Sequence, residues 1–122
     1  MKVFNRRTGR LAEALAASYL QKKGYAILKQ NFFTRFGEID IIAKDKDILV
    51  FVEVKAKTGT HLGNPEEMVN RGKLQRVRNM ATVYMKHAPL PAGRQACRID
   101  VVAIVFGHSN EVARLTHYQN VY

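Results

Sequence analysis

Gly37-Glu38-Ile39-Asp40-Ile41-Ile42, followed by Phe51-Val52-Glu53-Val54-Lys55, is the stretch that decides the fold. Both halves are rich in Ile and Val, and Lys44-Asp45-Lys46-Asp47 between them is polar and turn-like. The pattern predicts two antiparallel strands, Gly37 to Ala43 and Ile48 to Lys57. With Lys46-Asp47 as a two-residue turn, Asp45 pairs with Ile48, Asp40 lies opposite Glu53, and Glu38 lies opposite Lys55. Side chains alternate across a strand. One face then carries Glu38, Asp40, Glu53 and Lys55, with Ile42, Leu49 and Phe51 further along. The other face is Ile39, Ile41, Ala43, Val50, Val52 and Val54, wholly apolar.

Two carboxylates facing one another in a half-buried sheet repel unless a cation sits between them. Mg²⁺ (or Mn²⁺) suits such a pair. It takes oxygen ligands, keeps several waters, and is commonly held by one or two carboxylates plus a substrate phosphate. Lys55, two residues beyond Glu53, shares that face and lands beside the ion's water, where an ammonium orients the water or stabilises charge on a phosphate. Asp40 and Glu53 are therefore candidate metal ligands, and Asp40, Glu53 and Lys55 candidate catalytic groups. Lys57 shares the face but lies further away. The competing reading is an amphipathic hairpin with a solvent-facing Glu–Lys pair. A one-residue slip in register would put Asp40 and Glu53 on opposite faces.

Outward from the hairpin, Thr8 to Lys23 reads as a helix with Leu11, Leu15 and Tyr19 at four-residue spacing, and Gly24 supplies a left-handed cap. Tyr25 to Phe33 reads as a strand. Asn64-Pro65-Glu66-Glu67 has the chemistry of a helix start, and that helix is expected to reach about Lys86 with Leu74, Val77, Ala81 and Tyr84 on one face. Ala88 to Gln95 holds Pro89, Pro91 and Gly93 and reads as a loop. Arg98 to Phe106 and Val112 to Tyr118 complete the strands. The expected fold class is α/β: one mixed sheet flanked by helices.

The chain has 122 residues, enough for one domain, 1–122, and not two. Apolar residues make up 47 % and charged residues 25 %, a globular and not a disordered composition. No apolar run approaches a membrane span, and the opening MKVFNRRTGRLAEAL lacks an apolar signal core, so no membrane partner and a cytoplasmic location are expected. Lys plus Arg is 20 against 10 for Asp plus Glu, a net charge of +10. The excess is clustered. Lys2, Arg6, Arg7, Arg10, Lys22, Lys23, Lys29 and Arg35 meet one acid, Glu13, in the first 35 residues, and Arg71, Lys73, Arg76, Arg78, Lys86 and Arg94 meet none. Such segments neutralise phosphates, so nucleic acid, DNA in particular, is the expected partner, with Arg6, Arg7, Arg10, Arg71, Lys73, Arg76 and Arg78 as contacts. A solvated basic surface is the plainer alternative.

Gly37-Glu38-Ile39-Asp40 and Phe51-Val52-Glu53-Val54-Lys55 resemble the motif of the restriction-endonuclease-like PD-(D/E)XK nucleases. The chain as a whole resembles the YraN family of uncharacterised bacterial proteins, related by prediction to archaeal Holliday junction resolvases. The likeness runs through Gly9, Glu13, Ala16, Leu20 and Gly24-Tyr25, Asn31, Gly63, Pro65 and Lys73, then Arg98-Ile99-Asp100-Val101-Val102 and Asn120-Val121-Tyr122. It implies a restriction-endonuclease-like sheet and Mg²⁺-dependent cleavage of DNA, branched or structured DNA included. It also implies a further helix-borne catalytic acid at Glu13 and, by analogy with resolvases, a homodimer. Ala12 departs from the family's common Gly, and Ala56-Lys57 from its Thr-Arg. Gln75 and Tyr84 fall where relatives carry polar helix residues, although Tyr84 also fits the apolar face. A non-catalytic nucleic-acid-binding module, or an adaptor recruiting repair or recombination enzymes, is the alternative.

The remaining chemistry-bearing residues read as structural. His61, His87, His108 and His117 show no ligand spacing and read as surface or loop positions. Cys97, the single cysteine, excludes an internal disulfide and reads as a buried apolar residue. Asp100 with Arg98 reads as a strand-end ion pair. Phe32, Phe33 and Phe36 flank Arg35 and read as core, with base stacking as the alternative. Gly72-Lys73 lacks the upstream spacing of a phosphate-binding loop.

Overall fold

The computed structural model describes residues 6–58, 71–87 and 96–121. The helix start expected at Asn64, the loop at 88–95 and His61 lie outside the described residues. The elements are α1 (Arg6–Lys22), β1 (Ala26–Thr34), β2 (Gly37–Asp45), β3 (Ile48–Thr58), α2 (Arg71–His87), β4 (Cys97–Phe106) and β5 (Val112–Tyr118). The five strands form one sheet in the order β1-β2-β3-β4-β5. β3 and β4 are parallel and the other neighbours antiparallel, so the sheet is mixed. A parallel neighbour demands a crossover, and the chain between β3 and β4 carries α2.

The expected hairpin register holds from Asp45 with Ile48 back to Ile41 with Val52, and the ladder stops there, before the expected pairing of Asp40 with Glu53. Lys46 takes a φ of 57°, the positive value that two-residue hairpin loops require at their first position. β3 is the most buried segment beside β4, as befits a strand covered on both faces.

The helices cover opposite faces. On one side α1 packs Ala12, Ala16, Ala17 and Leu20 against Ile41, Ala43, Val50, Val52, Val102, Ile104 and Phe106. On the other α2 packs Leu74, Val77, Met80 and Ala81 against Ile39, Ile42, Leu49, Phe51 and Ile99. The buried stripe of α1 lies one position beyond the expected Leu11, Leu15 and Tyr19. Leu11 is 40 % exposed, and Leu15 and Tyr19 only border the core. Alanines leave no bulk between helix and sheet, so the alanine stripe gives the closest approach. The cap falls where expected. Gly24 has a φ of 102°, Tyr25 N–H donates to the Leu20 carbonyl and Gly24 N–H to that of Gln21. Those two bonds make a Schellman closure.

Candidate functional site

Beyond Ile41 and Val52 the two central strands part, and a side chain does the parting. Continuing the register would put the next backbone rung between Ile39 and Val54. Val54 N–H instead donates to Asp40 Oδ2 at 2.8 Å. On the other flank Gln30 pairs with Ile41 and Phe32 with Ile39, and Asn31 between them takes a φ of 55°. Asn tolerates this left-handed conformation better than most residues. Alternation slips here. Ile39 turns to the α2 side with Ile42 and Phe51, and not to the apolar α1 side on which strict alternation placed it.

The opening is a cleft of about 240 Å³. Glu38, Asp40 and Glu53 line it from the sheet, Phe36 from the β1–β2 turn, and Arg76 and Met80 from α2. Glu53 is 4 % exposed, and Lys55 Nζ lies 3.4 Å from its Oε2, so the expected sharing of a face by these two holds. The expected Glu38–Lys55 opposition does not. Glu38 pairs with Phe33 of β1, and its carboxylate accepts a bond from Asn31 Nδ2 at 2.8 Å. The same amide donates to Glu13 Oε1 at 3.0 Å. Asn31 thereby ties the helix acid to the hairpin acid, each of its two amide hydrogens satisfying one carboxylate.

Three carboxylates, those of Glu13, Glu38 and Glu53, thus act on Asp40. Burial raises its carboxyl most, the neighbouring Glu53 raises it further, Val54 N–H pulls the other way, and Glu13 and Glu38 add to the rise, leaving it at about 8 against an ordinary 3.8. A carboxyl so crowded by negative charge marks a place that favours a cation or a proton. Among the described residues no three His, Cys, Asp or Glu side chains group closely enough to ligate one ion. Asp40 and Glu53 alone fit a cation that completes its shell with water and phosphate oxygens, as Mg²⁺ does.

The basic candidates divide. Arg76 lines the cleft and Arg10 is exposed on α1, three residues before Glu13. Arg78 faces a different cavity, of about 360 Å³, beside Cys97 and Arg98. The side chains of Arg6, Arg7, Arg71 and Lys73 lie outside the described ones. Four other readings change or sharpen. Cys97 is exposed, because it opens β4 at the sheet's end. Phe33 and Phe36 are 73 % and 42 % exposed, and only Phe32 packs inward, edge-on to Tyr84. Tyr84 borders the α2 core, as its helical spacing implied. His117 is not a surface residue: its side chain is 2 % exposed and lies 2.7 Å from Asp100, which is fully buried. Composition gave no signal for that pairing. Asn31 stood out in the sequence only as one of the positions of the family likeness, with no role attached.

A mixed sheet with a helix on each face, split by an acidic cleft where its central strands part, defines an α/β protein with a sheet-borne carboxylate site. The chain belongs to the uncharacterised protein family UPF0102, the YraN family of the resemblance, whose model matches residues 12–104 and so takes in Glu13, Asn31, Asp40, Glu53, Lys55 and Arg76. A UPF0102 protein of Pelotomaculum thermopropionicum is 41 % identical over 114 residues, 93 % of either chain. One from Syntrophomonas wolfei is 47 % identical over 85 residues, 70 % of this chain and 74 % of its own, and one from Clostridium tetani 41 % over 111, 91 % and 89 %.

Proposed function

We propose that the cleft hydrolyses phosphodiester bonds of DNA, branched or structured DNA in particular, with Mg²⁺ or Mn²⁺ as cofactor. The observation that carries this reading is the meeting of Asp40 and Glu53 in one cleft, with Asp40's carboxyl pushed up to about 8 and Lys55 Nζ 3.4 Å from Glu53. Asp40 and Glu53 would hold the ion. The ion's chemistry is to polarise a phosphoryl oxygen and acidify a bound water. Lys55, 17 % exposed, has its ammonium tethered by Glu53 and would offer it to the charge that builds on a phosphate. Arg76 on the α2 wall gives a second positive charge for a neighbouring phosphate. Glu13, through Asn31, fixes Glu38 at the rim and acts as a positioning residue. Phosphate hydrolysis needs little beyond such positioning and charge.

The test is cleavage of supercoiled plasmid and of a four-way junction with Mg²⁺, Mn²⁺ or EDTA. Cleavage is expected with either ion and not with EDTA. Asp40→Ala is expected to abolish it, and Lys55→Ala to slow it by about 10²–10⁴-fold. DNA binding without cleavage under every condition would leave a binding module and remove the enzyme.

A further inference from the structure

The β1–β2 turn stands over the cleft and carries one exposed ring, Phe36, while Phe33 is exposed near the end of β1. Phe33 is 73 % and Phe36 42 % exposed, and Phe36 forms part of the cleft wall. The Arg35 guanidinium lies 5.0 Å from the Phe36 ring centroid. The turn is braced. The Thr34 hydroxyl accepts the Phe36 N–H at 3.0 Å and donates to the Gly37 carbonyl at 3.2 Å. Gly37, at a φ of 133°, sits beside α2, where an added Cβ would make ordinary contact with Met80 Sδ at 3.6 Å.

Cleft size decides what such a ring is for. At about 240 Å³ it falls below the roughly 300–1,000 Å³ of ordinary ligand pockets. A phosphate with its ion and waters fills most of that space, so a base contact made beside them falls on the rim, where Phe36 stands. A paired duplex offers the rim only phosphates and groove edges, its base faces being covered by their neighbours. An unpaired base offers a bare π-face.

We propose that the β1–β2 turn is a base-stacking tip that directs the cleft to DNA with unpaired, splayed nucleotides, Phe36 stacking on an unpaired base and Arg35 contacting an adjoining phosphate. This rests on the phosphodiesterase reading for what happens next, but not for the binding itself, so the two are tested apart. Binding is measured in EDTA, where no bond is cut, by fluorescence anisotropy on a blunt duplex and on the same duplex with a single-stranded flap, and 2-aminopurine in the flap reports stacking.

Wild type is expected to prefer the flap. Phe36→Ala should weaken flap binding about tenfold or more, remove the 2-aminopurine change, and move duplex binding less than twofold, and Phe33→Ala should leave all three unchanged. Phe36→Tyr should restore the preference and Phe36→Leu should not, since only the ring stacks. Both positions are exposed, so circular dichroism and the melting temperature should not change. Equal losses on both DNAs in Phe36→Ala, no loss on the flap in that variant, or no wild-type binding to either DNA overturns the proposal. So does a change of sedimentation coefficient with unchanged DNA preference, which would make the rings a contact between copies of this chain. Cleavage in Mg²⁺ is scored separately. Flap preference without cleavage removes the enzyme and keeps the tip, and cleavage at wild-type flap-to-duplex ratio in Phe36→Ala does the reverse.

Discussion

Asp40 holds the hairpin open and is itself held in an unfavourable place. Its Oδ2 accepts Val54 N–H, which favours the carboxylate, while burial and the charges of Glu53, Glu13 and Glu38 disfavour it. Asparagine keeps an oxygen for Val54 and removes the charge. In metal-free buffer at pH 8, Asp40→Asn is therefore expected to raise the melting temperature, by about 4 °C for each kcal/mol of repulsion relieved in a chain of this size. Added Mg²⁺ should narrow the gap by stabilising only the wild type. Differential scanning fluorimetry with and without EDTA checks both, and a variant that melts at or below the wild type without metal would show that the carboxylates are not in effective repulsion. Lys55 and Asn31 belong to the same balance: one neutralises Glu53, the other bonds Glu13 and Glu38 without neutralising either.

Among the elements, the α1 cap gives the sharpest local prediction. Gly24 at a φ of 102° has open space where a Cβ would go, so substitution there is penalised by backbone conformation and not by crowding. Gly24→Ala should lower stability by about 1–2 kcal/mol, read from a urea midpoint shift at unchanged slope. The cap was legible in the sequence because its cause is local, and so were the hairpin turn and, from Ile and Val runs, β2, β3 and β4. Two features were not legible. Leu11, Leu15 and Tyr19 and the stripe Ala12, Ala16, Leu20 are both apolar at helical spacing, and how closely the helix approaches the sheet chooses between them. The pairing of Glu38 with Lys55 followed from a ladder continued past Val52, whereas Asp40's side chain takes the Val54 N–H and ends it. Hence Asp40, Glu53 and Lys55 could be named from alternation, and the Asn31 bridge from Glu38 to Glu13 could not.

At the scale of the molecule the sheet carries polar clusters at both ends of β2, Asp40 near one and Asp45 at the other. Five residues at about 3.3 Å each separate them. At the far end Arg98 contacts Asp45, Asp100 and the Tyr25 hydroxyl, Asp100 also accepts Asn120 N–H at 3.0 Å, and His117 Nε2 lies 2.7 Å from Asp100. His117 Nδ1 lies 3.0 Å from Lys23 Nζ, so the imidazole takes its proton on Nε2, donating to the carboxylate and accepting from the ammonium. The cluster joins the end of α1 to β1, β2, β4 and β5, which the apolar core alone does not orient. Burial would raise Asp100's carboxyl, but the bonds from His117, Asn120 and Arg98 outweigh it and hold it below the ordinary 3.8. A lowered folded-state value means that its contribution is complete above pH 3.8 and is lost as the pH falls through the folded value, where the unfolded chain already binds the proton. Asp100→Asn should therefore cost about 1–3 kcal/mol at pH 7, because it removes the buried charge that His117, Asn120 and Arg98 all bond while Arg98 keeps Asp45, and should flatten the acid limb of the stability curve. Urea unfolding from pH 2.5 to 7 reads both effects. The cluster and the cleft share no hydrogen bond among those described, so the fraction of Asp100→Asn that folds should cleave DNA at the wild-type rate, while Asp40→Ala should keep the acid limb and lose cleavage. A variant at Asp100 that folds fully and cleaves slowly would mean that the two ends of the sheet are mechanically coupled after all.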